Sequence, residues 1–353
     1  MGLGKLNSRA GSKGPYKVSS PTSGQSAREL PAVRKPSRRD SETTPQGWPM
    51  VFARHETFHP RYGWIKKGFD AAQLDPLAFQ RDDSPVALGV GKNMVRAIRY
   101  WCTAFKVLAE HEGKTRGLVP TEFGRRLLSD GGFDPYLEDL GSLWLLHWNL
   151  LLQPCAASAW GFAFGLFPAA EFTTDDLIHG IEAWVNKEAP TSRIVQASFR
   201  KDAHCILRMY SESEDPRLVS EESIHCPFVE LGLIRPLPGQ RRAYSFSIGA
   251  KQGLTSELIA ATCLDFAGTQ SPTARSIAFS RLLRDPTGPG RVFRLTEGAL
   301  HEALEDAATL DQRLRVSDSA GLLQLSYTED PREMSLEFVE RHFGRKARRR
   351  IPA

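Results

Sequence analysis

Two short stretches concentrate side chains able to act on phosphate. The first is FARHETFHPR, which carries Arg54, His55, His59 and Arg61 and is followed closely by Lys66 and Lys67. Two imidazoles beside four cations suit phosphate binding, or general acid–base work on a phosphodiester. A surface segment that packs Phe52, Phe58 and Trp64 would look the same, and the residue types leave both readings open. The second stretch is DPYLED, with Asp134, Glu138 and Asp139, followed by His147. A divalent metal such as Mg or Mn, serving phosphodiester cleavage, takes hard oxygen ligands, often two carboxylates and sometimes a histidine. A helix starting near Pro135 would hold these acids in its first turns, where they would equally offset the helix dipole. His147 reads more simply as a buried, hydrogen-bonded residue. The candidate catalytic groups are therefore His55, His59, Glu138 and Asp139, and the candidate metal ligands are Asp134, Glu138 and Asp139. Asp82 and Asp83 read as caps of the next helix.

Other phosphate chemistry is excluded by spacing. The stretch LGVGKNM (88–94) has Val86 where a phosphate-binding loop needs its first glycine, and Asn93 where it needs Ser or Thr. Gly89 and Gly91 there mark a tight turn. The chain holds no G-x-G-x-x-G.

The element that must present the first cluster to a ligand follows that turn. From Lys92 to Ala109, Val95, Ile98, Trp101, Cys102, Phe105 and Leu108 recur at three- and four-residue spacing and predict one apolar helix face. Lys92, Arg96, Arg99 and Lys106 fall on another face as a basic stripe. A helix near 63–73 precedes it. A polar turn at 111–117, a strand at 118–120 and a Thr121-capped helix to Ser129 follow. Helix, turn, stripe-bearing helix, hairpin and helix make the order of a winged helix, whose recognition helix lies in the major groove. The hairpin would touch flanking backbone through Lys114 and Arg116. The candidate DNA contacts are Arg54, Arg61, Lys66, Lys67, Lys92, Asn93, Arg96, Arg99, Lys106, Lys114 and Arg116.

The fold class expected is mainly α, with winged-helix units near both ends of the folded part and a helical middle region bearing short β hairpins between them. Residues 1–49 are expected to be a disordered basic tail and 50–132 a winged-helix DNA-binding domain. Residues 133–250 are expected to form a helical middle domain broken near Pro154, and 251–330 a C-terminal winged-helix-like domain with a hairpin over 314–327. Residues 331–353 are read as a helix and basic tail. The C-terminal unit could be a second DNA reader or a dimerisation unit, so a homodimer is an open option. A start at Met50 would still give the whole folded part.

Charge is unevenly placed. Residues 1–49 and 341–353 each carry a net +6, so the whole-chain value of +5 leaves −7 for residues 50–340. The basic balance therefore lies in the two ends, where it would attract nucleic acid without specificity. No apolar run is long enough for a membrane span: Leu140–Leu152 is interrupted by His147 and Asn149. The five cysteines are scattered, with no C-x-x-C pair, which fits a reducing cytoplasm rather than a disulfide framework.

Five stretches, FARHETFHPRYGWIKKGFDAA, LGVGKNMVRAIRYWCTAF, DPYLEDLGSLWLLHW, CPFVELGLI and GPGRVFRL, together resemble a bacterial domain family of unknown function found beside DNA phosphorothioation and related defence genes. The resemblance covers residues 51 to about 328 and leaves out both basic ends. It implies a DNA-nicking protein acting with a cysteine desulfurase, an ATPase and a sulfurtransferase-like partner. The expected function is thus DNA binding with nicking in such a system. The alternative is a noncatalytic DNA-recognition adaptor for the sulfur-transfer machinery.

Overall fold

Helix α3 (Lys92–Ala104) sets the frame of the N-terminal region. Its Val95, Ala97, Ile98, Trp101, Cys102 and Ala104 are buried, so the apolar spacing is its core stripe. The computed structural model describes residues 1–2, 49–111, 116–212, 226–319 and 321–350; the expected disordered tail, from residue 3 to 48, and Lys114 lie outside them. By their contacts Met1–Val33 and Arg34–Ala353 form separate units, and the second holds every element named below.

α1 (Trp64–Leu74) and α2 (Ser84–Leu88) pack on α3. Gly68 of α1 permits the close approach: a Cβ there would stand 2.8 Å from Ile98 Cγ2. The expected helix to Ala109 stops at Ala104. Lys106 takes a left-handed φ of 57°, and the chain turns into β1 (Leu108–Glu110), which pairs antiparallel with β2 (Leu118–Pro120). α4 (Glu122–Leu128) follows, and the Thr121 side chain accepts from Gly124 N as its cap.

The aromatic block folds into α5 (Leu140–Leu151), apolar on nearly all sides and buried on nearly all sides. After the cis Gln153–Pro154 bond, α6 (Ser158–Gly161) runs into a π-helical turn, Phe162–Leu166. Then come β3 (Glu171–Thr173), α7 (Thr174–Glu188) and α8 (Gln196–Tyr210). Thr173 and Asp176 close a reciprocal capping box at the start of α7. A 3-10 turn at Pro227–Leu231 leads to β4 (Ile234–Pro236) and β5 (Ala243–Phe246), and the antiparallel sheet order is β3-β5-β4.

The C-terminal region runs α9 (Ser256–Gln270), β6 (Ser276–Ala278), α10 (Phe279–Arg284), α11 (Pro289–Val292) and α12 (Glu297–Leu310). The hairpin β7 (Leu314–Ser319) and β8 (Leu322–Tyr327) follows, then α13 (Pro331–Arg350), which packs along α9. β6 joins β8, giving the order β6-β8-β7. The described residues are thus mainly helical, with three small antiparallel sheets. A continuous apolar core links the N-terminal, middle and C-terminal elements. Among the described residues no helix is long and apolar enough to cross a membrane.

Candidate nucleic-acid interface

The loop before α1 is bent by three non-glycine residues in the left-handed region: Ala53 (φ 55°), Glu56 (φ 51°) and Thr57 (φ 67°). Such residues cost of order 1 kcal/mol each and persist where surrounding contacts over-determine them. His55 is fully buried, and its Nε2 lies 2.8 Å from Asp202 Oδ1 on α8. Ala53 N donates to the same oxygen at 2.8 Å. The His55 ring stacks on Trp101 and meets Trp160 edge-on, while Trp101 Nε1 donates to Phe58 O at 2.9 Å. Burial pushes the Asp202 carboxyl up, and the His55 contact opposes that shift. His55 was expected to act on phosphate. It is instead an internal anchor, sealed from any phosphate by aromatic rings and a buried carboxylate.

His59 is also buried, but differently. Its Nδ1 faces Pro60 O at 3.3 Å. A carbonyl only accepts, so Nδ1 carries the proton and Nε2 keeps a lone pair. Burial, with the nearby charges of Arg208 and Arg61 adding to it, lowers its pKa to about 4. It is a neutral imidazole at physiological pH.

The cations divide into two groups. Lys92, Asn93, Arg96 and Arg99 are all exposed on α3, opposite its core face. Arg96 Nη1 stands 3.6 Å from Glu56 Oε1 in the bent loop. Arg54 is exposed, and half-buried Arg61 places its guanidinium 5.4 Å from the Trp64 ring centre. Arg116 is exposed at the foot of β2.

One predicted contact, Lys106, is corrected. Lys106 lies beyond the end of α3 and donates to the carbonyls of Asn149 and Leu152, at 2.5 and 2.8 Å, where α5 ends. Burial lowers its pKa to about 8. Its left-handed backbone turns it inward, off the stripe. Lys66 bonds Asp70 at 2.7 Å and Asp130 at 3.3 Å, and Lys67 donates to Leu88 O at 2.8 Å. An ammonium carries three donors, so these bonds alone do not remove either lysine from the candidate contacts.

The acid cluster is built as a helix start rather than a metal centre. No helix begins at Pro135; Leu137 takes φ 56° and α5 begins at Leu140. Asp134 Oδ1 accepts from Glu138 N at 3.0 Å, and Oδ2 accepts from Asp139 N at 2.8 Å and Ser142 Oγ at 2.6 Å. Asp139 Oδ1 accepts from Gly141 N at 2.7 Å as the cap of α5, with His342 Nε2 at 3.5 Å. Glu138 is exposed. Asp134 and Asp139 thus turn oxygens that a divalent cation would need toward protein donors. Among the described residues no three His, Cys, Asp or Glu side chains converge to hold a metal. His147 is core, bonded to Tyr210 Oη at 2.7 Å and Val292 O at 3.0 Å.

Sequence reasoning passed over α8. Its inner side supplies Asp202, and its exposed side carries Arg200, Lys201, His204 and Arg208. The signal was present as basic residues at one-turn spacing with no acid among those exposed.

No curated protein matches the chain. Its fold is similar to an SspB crystal structure, with 41% sequence identity and a TM-score of 0.79 over 84% of this chain and 89% of that one. A magnesium ion-bound SspB crystal structure matches over the same shares, at 40% identity and a TM-score of 0.78. The model of a family described as a protein of unknown function, DUF4007, matches residues 52–343. The chain therefore belongs to the DUF4007 family.

Proposed function

We propose that this chain binds double-stranded DNA as the recognition component of a phosphorothioation-type modification and defence system in the cytoplasm. Its partners in that reading are the cysteine desulfurase, ATPase and sulfurtransferase-like protein implied by the family resemblance. The observation that carries it is α3: one side is core, and the other exposes Lys92, Asn93, Arg96 and Arg99 in a helix without an acid. Cationic and polar groups on the outer face of a reader helix are what a major groove and its phosphates require.

The order α1, α2, α3, β1, β2 supports a winged helix over residues 50–132, with Arg116 and, by sequence, Lys114 on the hairpin side. The helical middle over 133–250 then joins it to a C-terminal unit over 251–330. There α9, β6, α10, α12 and the β7–β8 hairpin repeat the winged-helix order. Its α12 exposes Glu297, Glu302, Glu305 and Asp306, a face that repels phosphate. That supports an association role, a homodimer among the options, over a second reader.

Nicking is the second reading. Its support is the likeness to a magnesium ion-bound SspB structure and the neutral His59 imidazole beside Arg61 and Arg208. Of the two candidate histidines, His59 is the one not bonded to a carboxylate, and no metal-assisted step is assigned to Asp134, Glu138 or Asp139.

One experiment tests both readings. Purified protein is mixed with supercoiled plasmid, with magnesium or with chelator. Recognition predicts a mobility shift that survives chelator. Open-circle product that forms only with magnesium and is lost in His59→Ala would establish nicking, and absence of any shift would end the DNA-binding reading.

A further inference from the structure

Helix α8 carries a second basic row that the reading above does not use. Arg200, Lys201, His204 and Arg208 are exposed and fall on one side of the helix at three- and four-residue spacing. The helix contains one acid, Asp202, which is turned inward and bonded to His55. The turn before β5 adds exposed Arg241 and Arg242. The charges of Arg208, Arg242 and Arg200 all reach His204 and, after burial itself, push its pKa down, so these groups share one patch. Asp175 is the acid that opposes them there.

The patch is fixed relative to α3. The bent loop at 53–58 touches both helices. Arg208 Nη2 donates to Thr57 O at 2.6 Å, while Arg96 of α3 reaches the adjacent Glu56 at 3.6 Å. Beneath the loop, His55 joins Asp202 of α8 and stacks on Trp101 of α3. Two basic rows are thus set on either side of one rigid loop, which itself exposes Arg54. Solvated helix faces ordinarily mix signs, and a purely basic row tied through a shared loop to another basic row suits the phosphates of a duplex.

We propose that the outward row of α8, Arg200, Lys201, His204 and Arg208, is a second phosphate-contacting surface that grips the same DNA duplex as α3. This rests on the DNA-binding reading of α3, so the experiment separates the two. The full chain is titrated with a fluorescein-labelled duplex of about three helical turns, roughly 30 base pairs, across a salt series. The wild type, Arg96→Glu/Arg99→Glu and Arg200→Glu/Lys201→Glu are compared. The α8 positions tested are exposed and clear of the loop contacts, and a conservative Arg200→Gln/Lys201→Gln variant with an unchanged melting temperature guards against misfolding. Each reversed pair is expected to lower the salt slope by about 2, at about 0.9 per phosphate contact, while wild type binds one duplex per chain. If the α3 variant weakens binding and the α8 variant keeps wild-type affinity and slope, the second surface is overturned while the reader stands. If the α3 variant binds as wild type does, the reader assignment fails, and with it the shared grip. Two duplexes per wild-type chain would likewise overturn the shared grip.

Discussion

His55 Nε2 and Asp202 Oδ1, 147 residues apart in the chain, meet at 2.8 Å with both side chains almost wholly buried. The pair ties the cation-bearing loop to α8, and the stacking of His55 on Trp101 ties it to α3. The histidine that looked most able to handle phosphate therefore serves to position the arginines around it.

Removing one partner should leave the other buried and uncompensated. His55→Ala and Asp202→Ala are each expected to cost about 3–5 kcal/mol of stability, read as a lower midpoint in chemical denaturation. A His55→Ala protein with wild-type stability and specific loss of activity would return that residue to a chemical role.

Two neutral histidines make stability depend on pH. His59 and His147 are each lowered by burial from 6.5 to about 4. The unfolded chain binds more protons than the folded one between those values. Their contribution is therefore complete above about pH 6.5 and is lost as pH falls toward 4, at about 3 kcal/mol per histidine. Denaturation midpoints measured from pH 7.5 down to 4.5 should fall, and His147→Gln should flatten part of the slope. A flat profile would show that these rings titrate normally.

Lys106 should matter for folding and not for DNA. Its ammonium bonds two carbonyls at the end of α5. Lys106→Ala is expected to cost about 1.5–3 kcal/mol, as a lost charge-assisted hydrogen bond does, with duplex affinity unchanged in protein that remains folded. A variant of full stability that binds DNA weakly would put Lys106 back on the stripe.

The acids near α5 should behave as caps. Asp139→Ala should lower stability by about 1 kcal/mol through the lost cap. Any rise in melting temperature on adding magnesium should persist in Asp134→Ala and Asp139→Ala. Its disappearance in either would make that carboxylate a metal ligand.

What the sequence reveals follows from how local each signal is. The core stripe of α3, the Thr121 cap and the hairpin over 314–327 depend on residues a few positions apart, and each forms as its spacing implies. The end of α3 was hidden because Phe105 and Leu108 continue the apolar period past Ala104, although a left-handed Lys106 has already turned the chain. That error placed Lys106 on the wrong surface. Pro135 read as a helix start, but Asp134 captures the amides of Glu138 and Asp139 and delays α5 to Leu140. β6, three residues long, is too short to show a period of two. The bond of His55 to Asp202 is set by tertiary packing, and no local pattern encodes it.

Everything functional turns on the outward side of α3, and the salt dependence of duplex binding reads it most directly. Wild type and Arg96→Glu/Arg99→Glu, matched for melting temperature, are titrated with one duplex at several salt concentrations. The reader assignment predicts weaker binding and a slope reduced by about 2 for the variant. Identical affinity and slope in the two proteins would contradict it.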